Sequence, residues 1–170
     1  MKELMAYDSI QSLSKESNKY ISLPLLSWEF YGTHLGLNGQ YARERADIHK
    51  VTQNWNTNFD FQKQMVYEKN VVIITDPNLN IVFASANIYQ LNGYTPEEVI
   101  GKTPKLFQGE NTCTKTSKRI RMAIDKHQPF SERILNYKKN KEVYYCTING
   151  YPVFNQKGDL VNYLAFETAA

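Results

Sequence analysis

Residues 84–112 read ASANIYQLNGYTPEEVIGKTPKLFQGENT, and how this stretch folds decides the architecture. Within it, YTPEEVIG carries a full helix start. Thr95 stands at the N-cap, Pro96 at the first helical position and Glu98 two places on, where its carboxylate reaches back to the cap backbone. Just beyond, Thr112 or Thr114 is expected to cap a longer helix running to about Asp125. Ile120, Ala123 and Ile124 then face its core side at helical spacing. The stretch therefore reads as several short helical pieces.

Outward from it, the pattern turns to strands. VVIITD and IVFASA, separated by PNLN, read as a hairpin. Downstream, SERILNYKK, EVYYCTINGYPVFN and LVNYLAFETA are three strand-like runs joined at KKNKE and NQKGD. Two strands, a helical middle and three strands predict an α+β fold: one five-stranded antiparallel sheet with short helices on one face.

Strand alternation sorts the side chains. Ile134 and Asn136 share a face, as do Cys146, Ile148 and Gly150, and Tyr163, Ala165 and Glu167. Val72, Ile74, Leu164 and Phe166 point the other way. Both faces are apolar, so something must cover the second one. Residues 1–66 are expected to form a separate N-terminal helical segment, and residues 67–170 the main domain. SLPLLSWEFYGTHLGLNG, with Pro24 and three glycines, predicts a short helix bounded by turns. From Tyr41 to Asn70 there is no Pro or Gly, and Ile48, Val51 and Trp55 recur at helical spacing, with Phe59 and Met65 roughly continuing it. NWNTN within this run is poor helix material and marks a kink or break. Trp55, Phe59, Phe61 and Met65 are the expected cover, packing in cis or joining two copies in a homodimer.

Composition removes several function classes. The chain has 170 residues and a net charge of +3, too weak a surplus to argue for nucleic acid. No apolar run reaches membrane-span length, and MKELMAYDSIQSLSKES lacks a signal-peptide core. Cys113 and Cys146 make neither a metal spacing nor a CxxC pair, and read as reduced thiols of a cytoplasmic protein. His34, His49 and His127 are scattered, and no GxSxG, HExxH, P-loop or GxGxxG occurs, so the expectation is a protein that is not an enzyme.

With these elements in place, residues from about 70 onward resemble a PAS domain, and most of all its LOV flavin-binding subclass. The resemblance is carried by VVIITD, by the stretch at 84–112, and by KRIRMAID, ILNYKK and YPVFNQKGDLVNYLAFE. The LOV pattern reads Gly-x-Asn-Cys-Arg-Phe-Leu-Gln-Gly. Here Thr103 stands at the Asn, Pro104 at the Cys, Lys105 at the Arg and Gln108 at the Gln. In that family the Cys attacks the flavin after blue light, and Pro104 has no nucleophile for it. The Arg holds the flavin phosphate; Lys105 keeps the charge and loses the bidentate fork. Arg121 matches a second phosphate-binding Arg, although with Lys115, Lys118 and Arg119 nearby a solvated basic face explains it as well.

The resemblance turns the faces of Asn136, Cys146, Ile148, Tyr163 and Glu167 toward a ligand. Asn136 matches an Asn that reads the flavin's pyrimidine edge. Cys146 stands where a second such Asn would be, and Glu167 where a Gln would contact the ring. Losing an amide there leaves a buried ring carbonyl unpaired, at about 1–3 kcal/mol. An ionised Glu167 only accepts, and serves a flavin only when protonated. These departures argue against FMN. They leave open a different small ligand beside Gly150 and Ala165, or a core filled from within. Haem is not expected, because the helix from Thr112 to Asp125 has no His and His127 lies past its end. Cys146 reads as a small buried hydrophobe rather than a redox thiol. The expected function is a sensory PAS module that binds a small ligand or dimerises, and signals to its N-terminal helices or a partner protein. The alternative is a LOV-like flavin sensor of blue light or redox state without the adduct cysteine.

Overall fold

The computed structural model describes residues 25–170, with side chains from Tyr31 onward. Packing divides the chain into two compact units, and the second, Gly36–Ala170, holds the sheet and everything that lines it. Five strands form one antiparallel sheet: β1 (Val71–Thr75), β2 (Ile81–Ala84), β3 (Phe130–Tyr137), β4 (Val143–Phe154) and β5 (Leu160–Ala169). Their spatial order is β2-β1-β5-β4-β3, which places the last strand at the centre. All five expected strands are present, and the PNLN turn joins β1 to β2 as a hairpin. Its tip is strained: Leu79 has φ 68°, a region that branched, bulky residues rarely enter.

Between β2 and β3 lie α2 (Ile88–Asn92), α3 (Pro96–Val99), a 3-10 turn (Pro104–Phe107) and α4 (Thr114–Asp125). The start of α3 forms as the sequence predicts, with the Thr95 amide donating to Glu98 Oε2 at 3.0 Å. The other oxygen of Glu98 accepts from Lys139 in the β3–β4 turn, which ties this small helix to the far hairpin. Neither expected threonine caps α4. Cys113 holds the N-cap position and Thr114 is already helical. Thr112 bonds elsewhere. Its hydroxyl accepts from the Gly109 amide and donates to Leu135 O at 2.8 Å, fastening the loop to β3.

The sequence expectation of a short helix bounded by turns at residues 22–39 is corrected. A single helix, α1, runs Leu25–Thr52 through all three glycines. Each glycine costs a helix only about 1 kcal/mol, and an isolated glycine supplies no turn without partners to close it. The break expected at NWNTN does occur: α1 stops at Thr52, and Trp55 pairs with Asn155 as an isolated bridge. The chain resumes as one π-helical turn, Lys63–Tyr67. The Tyr41–Asn70 segment is therefore a helix end, a loop and a turn rather than one helix.

This segment covers the outer face of the sheet in cis. Ile48, Trp55, Phe61 and Met65 form one buried cluster with Val72, Ile74, Leu164 and Phe166, joined by Phe83 and Val153. Aromatic edges hold it together. Phe59 packs on Tyr151 and Phe166 at 5.6 and 6.1 Å, and Trp55 lies edge-on to Phe59 at 6.0 Å. Glu44 of α1 accepts from the Ala86 amide at 2.9 Å, latching the helix to the turn after β2. A second core fills the inner face beside β1 and β2, where Val71, Ile73, Ile81, Ile88, Val99 and Phe107 pack together.

Candidate functional site

On the inner face, α4 is pegged at its middle and at its C-terminal end. Arg119 forms a two-bonded ion pair with Glu132 of β3, both contacts at 2.6 Å. At its C-terminal end the Tyr163 hydroxyl donates to Ile124 O at 2.9 Å, and its oxygen lies 2.9 Å from His127 Nδ1. Between these pegs Ile120, Ala123 and Ile124 face the sheet as expected, yet they are only half-buried. Ile120 and Ile124 form one wall of a chamber of about 90 Å³. Its floor is Ile148 and Gly150 of β4 with Tyr163, Ala165 and Glu167 of β5, and its far walls are Phe107, Phe130 and Asn136.

Six of the ten sequence-predicted site residues line this chamber: Pro104, Gln108, Asn136, Ile148, Tyr163 and Glu167. Thr103, Lys105 and Arg121 line an outer vestibule of about 320 Å³ that shares Leu79, Pro104, Gln108, Ile120 and Ile124 with the chamber. Both basic residues are exposed, and Arg121 pairs with Asp125 at 2.9 Å. Cys146 does not line the chamber. It is buried on the inner face beside it, with its thiol 3.6 Å from Glu167 Oε2.

The polar groups here are few and poorly satisfied. Glu167 is 3% exposed, and burial pushes its carboxyl up to about 7. Among the described residues its one hydrogen-bond partner is the Cys146 thiol. Burial also pushes the thiol itself far up, with the Glu167 charge adding to the effect, so the thiol keeps its proton while the carboxyl titrates near neutrality. That is the opposite of an activated nucleophile. Asn136 Oδ1 and Thr75 Oγ1 are buried without partners, and both residues line the chamber. Tyr144, opposite Asn136 in the β3–β4 register, and Asn92 bring two more buried polar atoms beside Asn136, and the three side chains interact without a well-formed hydrogen bond among them. Such orphans are costly, about 1–3 kcal/mol each, unless a water or a ligand meets them.

Several contributors were not singled out from the sequence. Thr75 extends the Val71–Ile73 alternation by one polar residue, a legible signal. Asn162 breaks the apolar outer row of Leu164 and Phe166 in the same way. Its side chain accepts from the Trp55 indole at 2.8 Å and donates to Thr75 O at 2.9 Å. A chamber-wall residue is thereby bonded, through β5, to the outer cover. Phe130 could not be foreseen. It occupies the space above Gly150, where an added Cβ would meet its ring at 2.3 Å.

That ring decides the fit to a flavin. Ligand pockets usually measure about 300–1,000 Å³, and the chamber offers about 90 Å³. Phe130 occupies the room that Gly150 leaves, and the polar groups at the other side are a buried carboxyl and the thiol bonded to it, Glu167 and Cys146. The residues present do not fit a flavin ring.

Comparison with known proteins agrees with the fold. Phototropin-1A of Oryza sativa subsp. japonica is 35% identical over 103 residues, covering 59% of this chain and 11% of that protein. A blue-light-activated histidine kinase of Brucella canis is 33% identical over 97 residues, 55% of this chain and 20% of that protein. The chain thus spans a fifth or less of the length of these relatives. Among solved structures, the dark structure of the photoreceptor Aureochrome1 LOV superposes with a TM-score of 0.61 at 25% identity, covering 68% of this chain and 86% of that one. The sequence pattern of the PAS domain matches residues 69–168, from the residue pair before β1 almost to the end of β5, and the chain belongs to the PAS domain family.

Proposed function

We propose that this chain is a sensory module of signal transduction, which takes a small molecule into the inner chamber and passes the change to its N-terminal cover. The observation that carries this reading is the bonded route from chamber to cover. Thr75 lines the chamber, its carbonyl holds Asn162, and Asn162 holds the Trp55 indole. A ligand hydrogen-bonded at Thr75 would bias this chain of contacts, and the aromatic cluster around Trp55 is the element that would respond. Residues 1–66 would act as cap and output, either within a homodimer or against a downstream signalling protein, and residues 67–170 as the sensor. The relatives support the sensory part of this reading, since the Brucella canis protein is named a blue-light-activated histidine kinase. Sensing rather than catalysis suits a chamber whose neighbouring thiol is held in its protonated, unreactive form.

A second reading, a flavin sensor of blue light or redox state without the adduct cysteine, draws on the likeness to photoreceptor LOV structures. An absorption spectrum separates the two. The purified chain is expected to be colourless; a stoichiometric yellow chromophore would favour the second reading, and illumination should then give no cysteinyl adduct because Pro104 stands at that position. The first reading is tested by extracting the purified chain, identifying co-purified small molecules by mass spectrometry and adding them back. A binder should slow amide exchange in residues 41–68. A binder that leaves that segment unchanged would sink the proposed output route.

A further inference from the structure

The chamber's chemistry narrows its ligand, on the reading that it is a ligand site. We propose that the chamber takes a small organic cation, a compact primary amine, whose ammonium group sits on Glu167 while its apolar body fills the space between Ile73, Ile120, Ile124, Ile148 and Phe130. Glu167 is the one ionisable acid lining the chamber, and no Lys, Arg or His lines it among the described residues. The carboxyl is buried with only a thiol for company. Protonated, it lacks a good acceptor for its proton. Ionised, it lacks a counter-charge. Either state leaves a buried polar group in deficit, and an ammonium ion corrects the second one with a charge-assisted bond.

The remaining polar wall points the same way. Asn136 Oδ1, which lacks a well-formed bond to the nearby Tyr144 hydroxyl, accepts only, and the unpartnered Thr75 Oγ1 accepts or donates. The Tyr163 hydroxyl is already committed to Ile124 O. An anionic ligand would meet Glu167 with no cation inside to offset it. The basic groups at the vestibule do not reverse this, because Arg121 is paired with Asp125 and Lys105 lies exposed. Size sets the body. The chamber's 90 Å³ is below the roughly 150 Å³ of a cavity known to hold benzene, so a short branched aliphatic group fits better than a ring.

Charge linkage supplies an independent signature. A primary amine stays protonated across neutral pH, its pKa lying near the 10.4 of a lysine side chain. Glu167 ionises around 7, and the other titratable groups facing it, Cys146 and Tyr144 of β4, are both pushed upward. Tyr163, further along β5, is raised as well. Affinity for the amine should therefore rise as pH increases through neutrality, while affinity for a neutral isostere stays flat.

The test uses the full chain and three isosteric probes: isobutylamine, isobutanol and isobutyrate. Binding is followed by the methyl resonances of Ile120, Ile124 and Ile148. Isobutylamine is expected to bind about tenfold or more tightly than isobutanol at about pH 8, with the preference shrinking at about pH 5.5, and isobutyrate is expected not to enter. Glu167→Gln should fold normally and bring the amine level with the alcohol. Equal binding of amine and alcohol by the unmodified chain, or an amine preference that survives Glu167→Gln, overturns the cation assignment and leaves the sensory reading standing. If no probe moves any chamber methyl, the cation assignment also falls. If in addition no co-purified molecule is found, the sensory reading falls with it.

Discussion

Glu167 makes the sharpest prediction at the scale of single residues. Its carboxyl rises from an ordinary value near 4.5 to about 7 on folding, so between these values the folded state holds a proton that the unfolded state releases. Stability must then fall as pH climbs through this window, and stay lowered above it. Glu167→Gln removes the titration. It should match the unmodified chain at about pH 4.5 and exceed it by up to roughly 3 kcal/mol at about pH 8, read from urea melts at both values. A constant difference across pH would show the side chain to be solvated. Asn162 gives a second expectation: Asn162→Ala leaves the Trp55 indole and the Thr75 carbonyl without their partner and should cost about 1–3 kcal/mol. Trp55 emission should change with it, measured in a Trp28→Phe background. Unaltered emission and melting would show that the bond contributes nothing to the cover. Glu167 and Asn136 were legible as inward residues because a strand's period of two is unforgiving. Asn162 was equally legible, as one polar residue in an apolar row. The Glu167–Cys146 contact was not, because it crosses from β5 to β4 and depends on register.

Among the elements, β4 and β3 meet where Gly150 stands opposite Phe130. Gly150 leaves a gap, and the neighbouring strand fills it with a ring. Gly150→Ala places a methyl group where the ring now lies, with the nearest ring atom 2.3 Å from the new carbon. The ring must move, and overpacking of this kind costs about 1–3 kcal/mol. Phe130→Leu in the same chain should recover most of that loss, and the double-mutant cycle measures the coupling. Independent, additive losses would mean that the ring yields without strain. Locally encoded elements were plain in the sequence. Thr95, Pro96 and Glu98 write the start of α3 in four consecutive residues, and PNLN writes a hairpin. What failed was inference from glycine alone. Gly32, Gly36 and Gly39 lie inside α1, because helix continuation is decided by the summed preference of many residues and not by three weak ones. The cap of α4 failed for a related reason: Thr112 is a good capping residue, but the carbonyl of Leu135 and the Gly109 amide claim its hydroxyl first.

At the scale of the whole unit Gly36–Ala170, the fold is a sheet with two covered faces, and the covers differ in kind. The inner one is pegged at the middle and the C-terminal end of α4 over a chamber. The outer one is dense, with Val72, Ile74 and Leu164 fully buried beneath Ile48, Trp55, Phe61 and Met65. Both apolar faces were readable from alternation, and so was the need for a cover. Whether one chain supplies it could not be read, since the same side chains suit a second copy equally well. The cover closes in cis, and that has a measurable consequence: the melting temperature of the chain should not depend on its concentration, as it would if a partner supplied the cover. Removing residues 1–66 should then bare the patch. Each large side chain returned to water forfeits about 1.5–3 kcal/mol, and apolar surface of that extent is rarely left open on a soluble domain. The truncated chain is expected to aggregate or to change its mass by light scattering. If it stays soluble, with the same mass per particle and the same melting temperature as the full chain, then the cover adds no stability. The route from chamber through Asn162 to Trp55 would in that case end on an element with no energetic hold on the sheet, and could not carry a signal.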